Sequence, residues 1–223
     1  MRIIVFATQK GGCGKSTLAI NLALAAQEAG ERVAILDLGL RKSVLRWASK
    51  RASREPPARS VPLPRLKGML EALAKRGTSL TVIDTPPIES QISLAAIKAA
   101  DFCIVPARPA LFDIWASEVT ARKLKLMDKS FVFLLNQCPS GHNDSAMKCA
   151  IHALTAAGPL LSPTIRTRAD FPDASRLGRG VTEIHPNGPA AREIRALWSE
   201  IGRKLRRSQA ALPGKTLNRR SSS

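Results

Sequence analysis

Eight residues near the start of the chain, Lys10-Gly11-Gly12-Cys13-Gly14-Lys15-Ser16-Thr17, restrict its fold more than any other stretch. They separate the apolar run Arg2-Ile3-Ile4-Val5-Phe6-Ala7 from a pattern with Leu18, Leu22, Ala25 and Ala26 at helical spacing. A short continuous apolar run that stops at a glycine turn reads as a strand buried on both faces of a parallel sheet. A glycine-rich turn that opens a helix points several backbone N–H groups, and the positive end of the helix, at one place. Strand, turn and helix in that order predict a phosphate-binding loop. Lys10, ahead of the glycines, is a second lysine that phosphate binding alone does not need.

The rest of the chain repeats strand and helix. Further strands are expected at Val33-Ala34-Ile35-Leu36, Leu80-Thr81-Val82-Ile83, Phe102-Cys103-Ile104-Val105-Pro106 and Phe131-Val132-Phe133-Leu134-Leu135, with a short last strand and basic loop at Thr164-Ile165-Arg166-Thr167-Arg168. Helices are expected near 67–75, 93–100, 113–127 and 144–158, and a final one starts near Pro189 with Ala190, Ile194, Leu197, Trp198, Ile201 and Leu205 on one face. Pro56, Pro57, Pro62 and Pro64 turn the later part of the basic stretch 41–67 into a loop. The alternation predicts a single-domain α/β protein, a mainly parallel twisted sheet with helices on both faces. The domain is expected over 1–207, followed by a disordered basic tail over 208–223 that carries Pro213, Gly214, Arg219 and Arg220. Ligands of such sheets bind beyond the carboxyl ends of the strands, where Gly12, Asp37, Asp84 and Asn136 are expected.

Lys and Arg number 35 against 17 Asp and Glu, a formal charge of +18 that points to a polyanionic partner, nucleic acid before an anionic membrane. Cys13, Cys103, Cys138 and Cys149 show neither a zinc spacing nor a disulfide framework, which fits a reducing cytoplasm. Cys13 reads as a small filler in the loop. The apolar start is too short for a signal peptide or a membrane span.

These residues resemble the ParA branch of the ParA/MinD ATPases, whose altered Walker A motif carries the extra lysine found here as Lys10. Val82-Ile83-Asp84-Thr85-Pro86-Pro87 is similar to that family's Walker B strand. Val105-Pro106-Ala107-Arg108-Pro109 with Asp113-Ile114-Trp115-Ala116 resembles its next strand and helix, and Leu135-Asn136-Gln137 its base-binding strand end. Gly180-Val181-Thr182-Glu183-Ile184 and Ala190-Ala191-Arg192-Glu193-Ile194 resemble its last switch and closing helix. The match runs through nearly the whole chain and resembles the short type without an N-terminal DNA-reading domain.

The resemblance implies a P-loop ATPase with ATP and Mg2+ as cofactors. Gly11, Gly12, Cys13 and Gly14 would cradle the phosphates. Lys15 would neutralise the β- and γ-phosphates, Ser16 would ligate Mg2+ and Thr17 would support the α-phosphate side. Asp84 would hold a water on the metal, and Asn136 would read the adenine edge. Lys10 would reach the nucleotide of a second subunit, so that ATP joins a homodimer. Lys10, Lys15, Asp37 and Asp84 form the implied catalytic set. Implied partners are nonspecific DNA and a ParB-like or other centromere-binding protein, with a place in the cytoplasm on the nucleoid.

One departure changes the expected chemistry. The family's second strand ends Asp-x-Asp-Pro-Gln, and its second aspartate positions the attacking water; here the run is Asp37-Leu38-Gly39-Leu40-Arg41. Glycine has no group to orient water, so weak or partner-dependent hydrolysis is expected. That opens an alternative, an ATP-gated DNA-binding scaffold that positions a protein cargo or conjugation complex with little turnover. Nonspecific DNA binding needs cations spread over a face and no base-reading motif. Arg195, Arg203, Lys204, Arg206 and Arg207 on the last helix supply them, and Arg166, Arg168, Arg176 and Arg179 extend the surface. A MinD-like membrane helix is disfavoured, because the apolar face of the last helix is needed for the core.

Overall fold

A computed structural model of the chain describes residues 1–139 and 145–210, the last four as backbone only. Six parallel strands form one sheet in the order β3-β2-β4-β1-β5-β6, with β1 Arg2–Phe6, β2 Val33–Asp37, β3 Ala58–Ser60, β4 Leu80–Asp84, β5 Phe102–Ala107 and β6 Phe131–Leu135. Helices α1 Lys15–Glu28, α2 Ser43–Ser49, α3 Leu66–Lys75, α4 Gln91–Ala99, α5 Leu111–Leu126, α6 Ser145–Ala157, α7 Asp170–Arg176, α8 Val181–Ile184 and α9 Pro189–Ala210 connect and cover the strands.

The period of two along each strand divides the core. Ile4 and Phe6 of β1, Ile35 of β2 and Ile104 of β5 pack with Leu18 and Leu22 of α1, Trp47 of α2 and Ile194, Leu197 and Ile201 of α9. Val5, Leu36, Ile83 and Val105 face the other way, onto Leu70 of α3, Ile97 of α4, Leu124 of α5 and Leu154 of α6. Central strands are mostly apolar because both of their faces are covered, with Thr81 the buried polar exception inside β4 and Asp37 and Asp84 closing β2 and β4 at the site. Helix α1 is apolar nearly all round for the same reason: it is buried from Leu18 to Ala26 between the sheet and α9.

Two sequence expectations are corrected. Residues 164–168 form no strand; Arg166 makes an isolated bridge to Cys138, with Cys138 N–H donating to the Ile165 carbonyl at 3.0 Å. The backbone turns at Gln137, where φ is +54°, and that ends β6 before a ladder can extend. The later part of the basic stretch 41–67, expected as loop, holds the edge strand β3 beside β2, and the first part, for which no element was expected, forms α2. Val44 and Trp47, three residues apart, give α2 a buried stripe that the surrounding charge hides from composition-based reading. Helix α9 runs to Ala210, beyond the expected domain end at 207. The Arg207 side chain, Asp144 and the tail with Arg219 and Arg220 lie outside what is described.

Helix α2 is fastened to the far end of the chain. Arg51, with its side chain 7% exposed, forks onto Glu183 at 2.6 and 2.8 Å, donates to the Gly178 and Glu55 carbonyls and lies over the Trp47 ring at 5.0 Å. Arg51→Ala is expected to cost about 2 kcal/mol, because it leaves a half-buried carboxylate unpaired. For a chain of this size the melting temperature should fall by roughly 4–8 °C. Burial pulls the Glu183 carboxyl upward, but Arg51 and the Gly180 N–H hold it below its ordinary value. A depressed carboxylate stabilises the fold above its unfolded-state value. The difference between wild type and Arg51→Ala should therefore be full at neutral pH and shrink as pH falls through the depressed value, as melts across an acidic pH series would show.

Candidate functional site

The sheet order creates the site. From β1 the chain leaves through α1 toward β2 on one side, and from β5 it leaves through α5 toward β6 on the other, and beyond the carboxyl ends a crevice opens between the loop after β1 and the ends of β4 and β2. The loop after β1 forms one wall of that crevice. Gly12 and Gly14 take the left-handed φ values +79° and +91°, which β-carbons oppose, and α1 starts at Lys15. The turn borders a cleft of about 860 Å³ lined by Gly11, Gly12, Gly14, Lys15, Ser16 and Thr17 on one side and by Asp84 to Pro87 on another.

Across from the loop, Asp37 and Asp84 are register partners on β2 and β4, so two buried carboxylates lie side by side. Their surroundings differ. Both oxygens of Asp37 accept backbone N–H groups, from Gly39 at 3.0 Å and Leu45 at 3.1 Å, which holds the turn into α2. Asp84 Oδ2 accepts the Ser16 hydroxyl at 2.6 Å, and among the described residues its Oδ1 is the only buried side-chain polar atom without a partner. Burial pushes the Asp84 carboxyl up to about 6; Ser16 and Lys15 pull it down, and Asp37 adds to the rise. A buried carboxylate with an idle oxygen beside a hydroxyl, at the edge of a phosphate cradle, suits a hard cation. Mg2+ commonly uses one or two protein oxygens and takes the rest from phosphate and water, so this donor set fits it.

Gly39 lies on the rim of the same cleft. A β-carbon there would stand 3.3 Å from Asp37 Oδ1 and 3.9 Å from Asp84 Oδ2, so the position faces both acids with no side chain of its own.

Lys10 and Lys15 part company. Lys15 lines the cleft, whereas Lys10 is absent from its walls and turns toward α5, where its Nζ meets Asp113 Oδ2 at 2.6 Å. Arg108, on the connection from β5, grips the same carboxylate at 2.8 and 3.1 Å. Burial tends to raise the Asp113 carboxyl, but Arg108 and Lys10 together hold it below its usual range. The sequence match included Arg108 and Asp113 without revealing this contact, which arises because β1 and β5 are adjacent.

Asn136 and Gln137 at the end of β6 support the loop from behind, donating to the Cys13 carbonyl at 2.7 Å and to the Gly12 carbonyl at 3.0 Å. Asn136 also borders a 300 Å³ pocket with Gly14, Thr17, Arg166, Arg168 and Phe171. Cys13 is buried, and burial raises its thiol above the ordinary value, which agrees with a filler. The wall that sequence reasoning missed belongs to α2: Arg41, Arg46, Trp47 and Lys50 line the main cleft, so part of the basic stretch faces the site. The density of cations was the signal, and the helix that aims them was not recognised.

Four of the expected DNA-facing cations of α9 have described side chains. Arg195 pairs with Glu28 of α1 at 2.7 and 3.0 Å and Arg203 pairs with Glu200, while Arg206 is exposed and Lys204 half-buried.

A glycine turn on the central strand of a parallel sheet, with a lysine and a hydroxyl at the helix start and a buried acid opposite, defines a P-loop nucleotide-binding protein. The family described as the CobQ/CobB/MinD/ParA nucleotide binding domain matches residues 4–181, and the chain belongs to it. Its ParA and MinD members are ATPases, and this chain is an ATPase of that class, with ATP and Mg2+ as its cofactors. It is 30% identical over 213 residues to the Maintenance of carboxysome distribution protein A of Halothiobacillus neapolitanus, covering 89% of this chain and 95% of that one. Identity to the Chromosome-partitioning ATPase Soj of Thermus thermophilus is 26% over 240 residues, with 90% and 95% covered. The Mg-ADP complex of the septum site-determining protein MinD from Pyrococcus horikoshii shares the fold, with a TM-score of 0.72 at 19% identity over 93% of this chain and 98% of that one.

Proposed function

We propose that this chain is an ATP-driven switch that dimerises on ATP, binds DNA nonspecifically on the nucleoid, and distributes a cargo with weak or partner-stimulated hydrolysis. The observation that carries this reading is the orientation of Lys10. Its amine turns away from the cleft to Asp113 on α5, which supports a contact with the nucleotide of a second copy of the chain. Lys15, Ser16 and Asp84 then serve phosphate and Mg2+ in cis, and the pocket beside Asn136 takes the base. Bound there, ATP would bring the phosphoryl group that passes to water with ADP as the leaving group, and Mg2+ would offset the phosphate charge. The chain's own part is to hold the phosphates on the loop and Lys15, and the metal on Ser16 and Asp84, with no side chain at Gly39 to orient the water.

Basic charge on this scale fits a DNA tether. The apolar face of α9 is spent on the core, with Ile194, Leu197 and Ile201 fully buried, and no helix among the described residues is long and apolar enough to cross a membrane. In this reading the cargo is a plasmid or chromosome reached through a ParB-like partner, and the similarity to the Chromosome-partitioning ATPase Soj supports it. The 30% identity to a carboxysome-distribution protein over 89% of the chain favours a second reading, in which the cargo is a protein assembly.

Sedimentation with saturating Mg-ATP should give a dimer for the wild type and a monomer for Lys10→Ala, with ATP still bound in both. DNA affinity should appear with ATP, and its logarithm should fall linearly with the logarithm of salt. A wild type that stays monomeric, or DNA binding indifferent to salt, would overturn the reading.

A further inference from the structure

The Lys10 cluster contains one more cation than Asp113 needs for neutrality. Asp113 is in the first turn of α5, and its side chain is only 2% exposed although it lies at the edge of the fold. Its partners are two cations, Lys10 and Arg108, each with its side chain 36% exposed. The carboxylate is divided unevenly between them. Oδ1 accepts Arg108 Nε at 2.8 Å, while Oδ2 accepts both Arg108 Nη2 at 3.1 Å and Lys10 Nζ at 2.6 Å. Arg108 is set for this grip by its own backbone, since its carbonyl accepts the Ala110 N–H at 2.8 Å just before α5 begins.

The two cations differ in what they lose by leaving. A guanidinium presents a rigid planar fork that matches both carboxylate oxygens, whereas an ammonium on a four-carbon stem makes a point contact. If Lys10 departs, Arg108 still satisfies both oxygens. If Arg108 were missing, departure of Lys10 would leave an enclosed carboxylate with no counter-charge, and such a group resists losing its last partner strongly. Lys10 would then be held in its own subunit.

We propose that Arg108 is a positioning residue that makes Lys10 releasable: by keeping Asp113 neutralised from β5, it frees Lys10 to cross to a second subunit and so sets the concentration at which ATP drives dimerisation. This rests on the dimer reading above. Arg108 needs no contact with nucleotide in this role, because it acts through Asp113.

Two readouts on the full chain test it. In sedimentation with saturating Mg-ATP, Arg108→Gln should raise the dimer dissociation constant by about tenfold or more. Adding Asp113→Asn to that variant removes the trap and should return dimerisation to the wild-type level. In nucleotide-free protein, acetylation of the Lys10 amine, followed by mass spectrometry against exposed Lys98 in the same sample, should slow several-fold in Arg108→Gln and recover in the double variant. A purely structural Arg108 would lower the melting temperature without rescue by Asp113→Asn. Unchanged dimerisation or unchanged Lys10 labelling in Arg108→Gln, or a double variant no better than the single one, overturns the proposal. A wild type that fails to dimerise overturns the dimer reading instead, and the labelling comparison still decides whether Arg108 governs the release of Lys10.

Discussion

Replacing Gly39 by aspartate is expected to raise ATP turnover by about 10²-fold, the usual scale for restoring a group that positions or activates water. Position 39 is on the rim of the cleft that holds Lys15, Ser16 and Asp84. A β-carbon there meets Asp37 Oδ1 at 3.3 Å, a tight approach, and Asp37 has little freedom to yield because both of its oxygens are tied to backbone N–H groups. A third carboxylate also adds like charge beside Asp84, whose carboxyl burial has already pushed up to about 6. The variant should therefore melt lower than the wild type without Mg2+ and regain part of the difference when Mg-ATP is added. Turnover at saturating Mg-ATP and DNA, measured beside melting with and without Mg2+, separates the two effects. Equal turnover in variant and wild type would remove the missing acid as the limit on hydrolysis.

Gly14→Ala is expected to weaken ATP binding by at least about 100-fold, since it attacks the loop in two ways. The residue has φ +91°, where a β-carbon brings strain of roughly 1 kcal/mol or more. An added β-carbon would also stand 2.4 Å from Asn136 Nδ2, well inside contact distance, and Asn136 is held in place by the Cys13 carbonyl. Either the side chain or the loop must move, and in both cases the backbone donors no longer converge on one phosphate. Adding Asn136→Ala should recover part of the affinity by removing the collision, with the strain at φ +91° remaining. Titration calorimetry on the three proteins reads this directly. Wild-type affinity in Gly14→Ala would show that the loop tolerates a different backbone path.

The Gly39 and Gly14 effects were not equally visible before the structure. That Gly39 replaces an acid is plain from the run Asp37-Leu38-Gly39, because the resemblance supplies the residue expected there. That Asp37 caps the turn into α2 while Asp84 keeps an idle oxygen is not legible, since it depends on which neighbours reach each carboxylate after β2 and β4 pair. Strands of the central sheet were readable as nearly continuous apolar runs because burial on both faces leaves few polar positions. The edge strand β3 escaped notice because its residues, half-buried or exposed, carry no such pattern. Helix α2 escaped because its two buried residues are surrounded by arginine and lysine.

By itself the sequence determined the local rules: a glycine turn that only a phosphate loop needs, apolar runs that only a doubly covered parallel sheet can bury, a second lysine, and a missing acid. The glycine turn and the apolar runs are set within a few residues by backbone sterics and hydrophobic period, and the second lysine and missing acid are read against the family's pattern. The tertiary structure alone decided where the second lysine points. Lys10 and Asp113 are far apart in the chain and meet because β1 and β5 are neighbours whose connections leave on opposite sides, and strand order is a property of the folded sheet that no local pattern encodes.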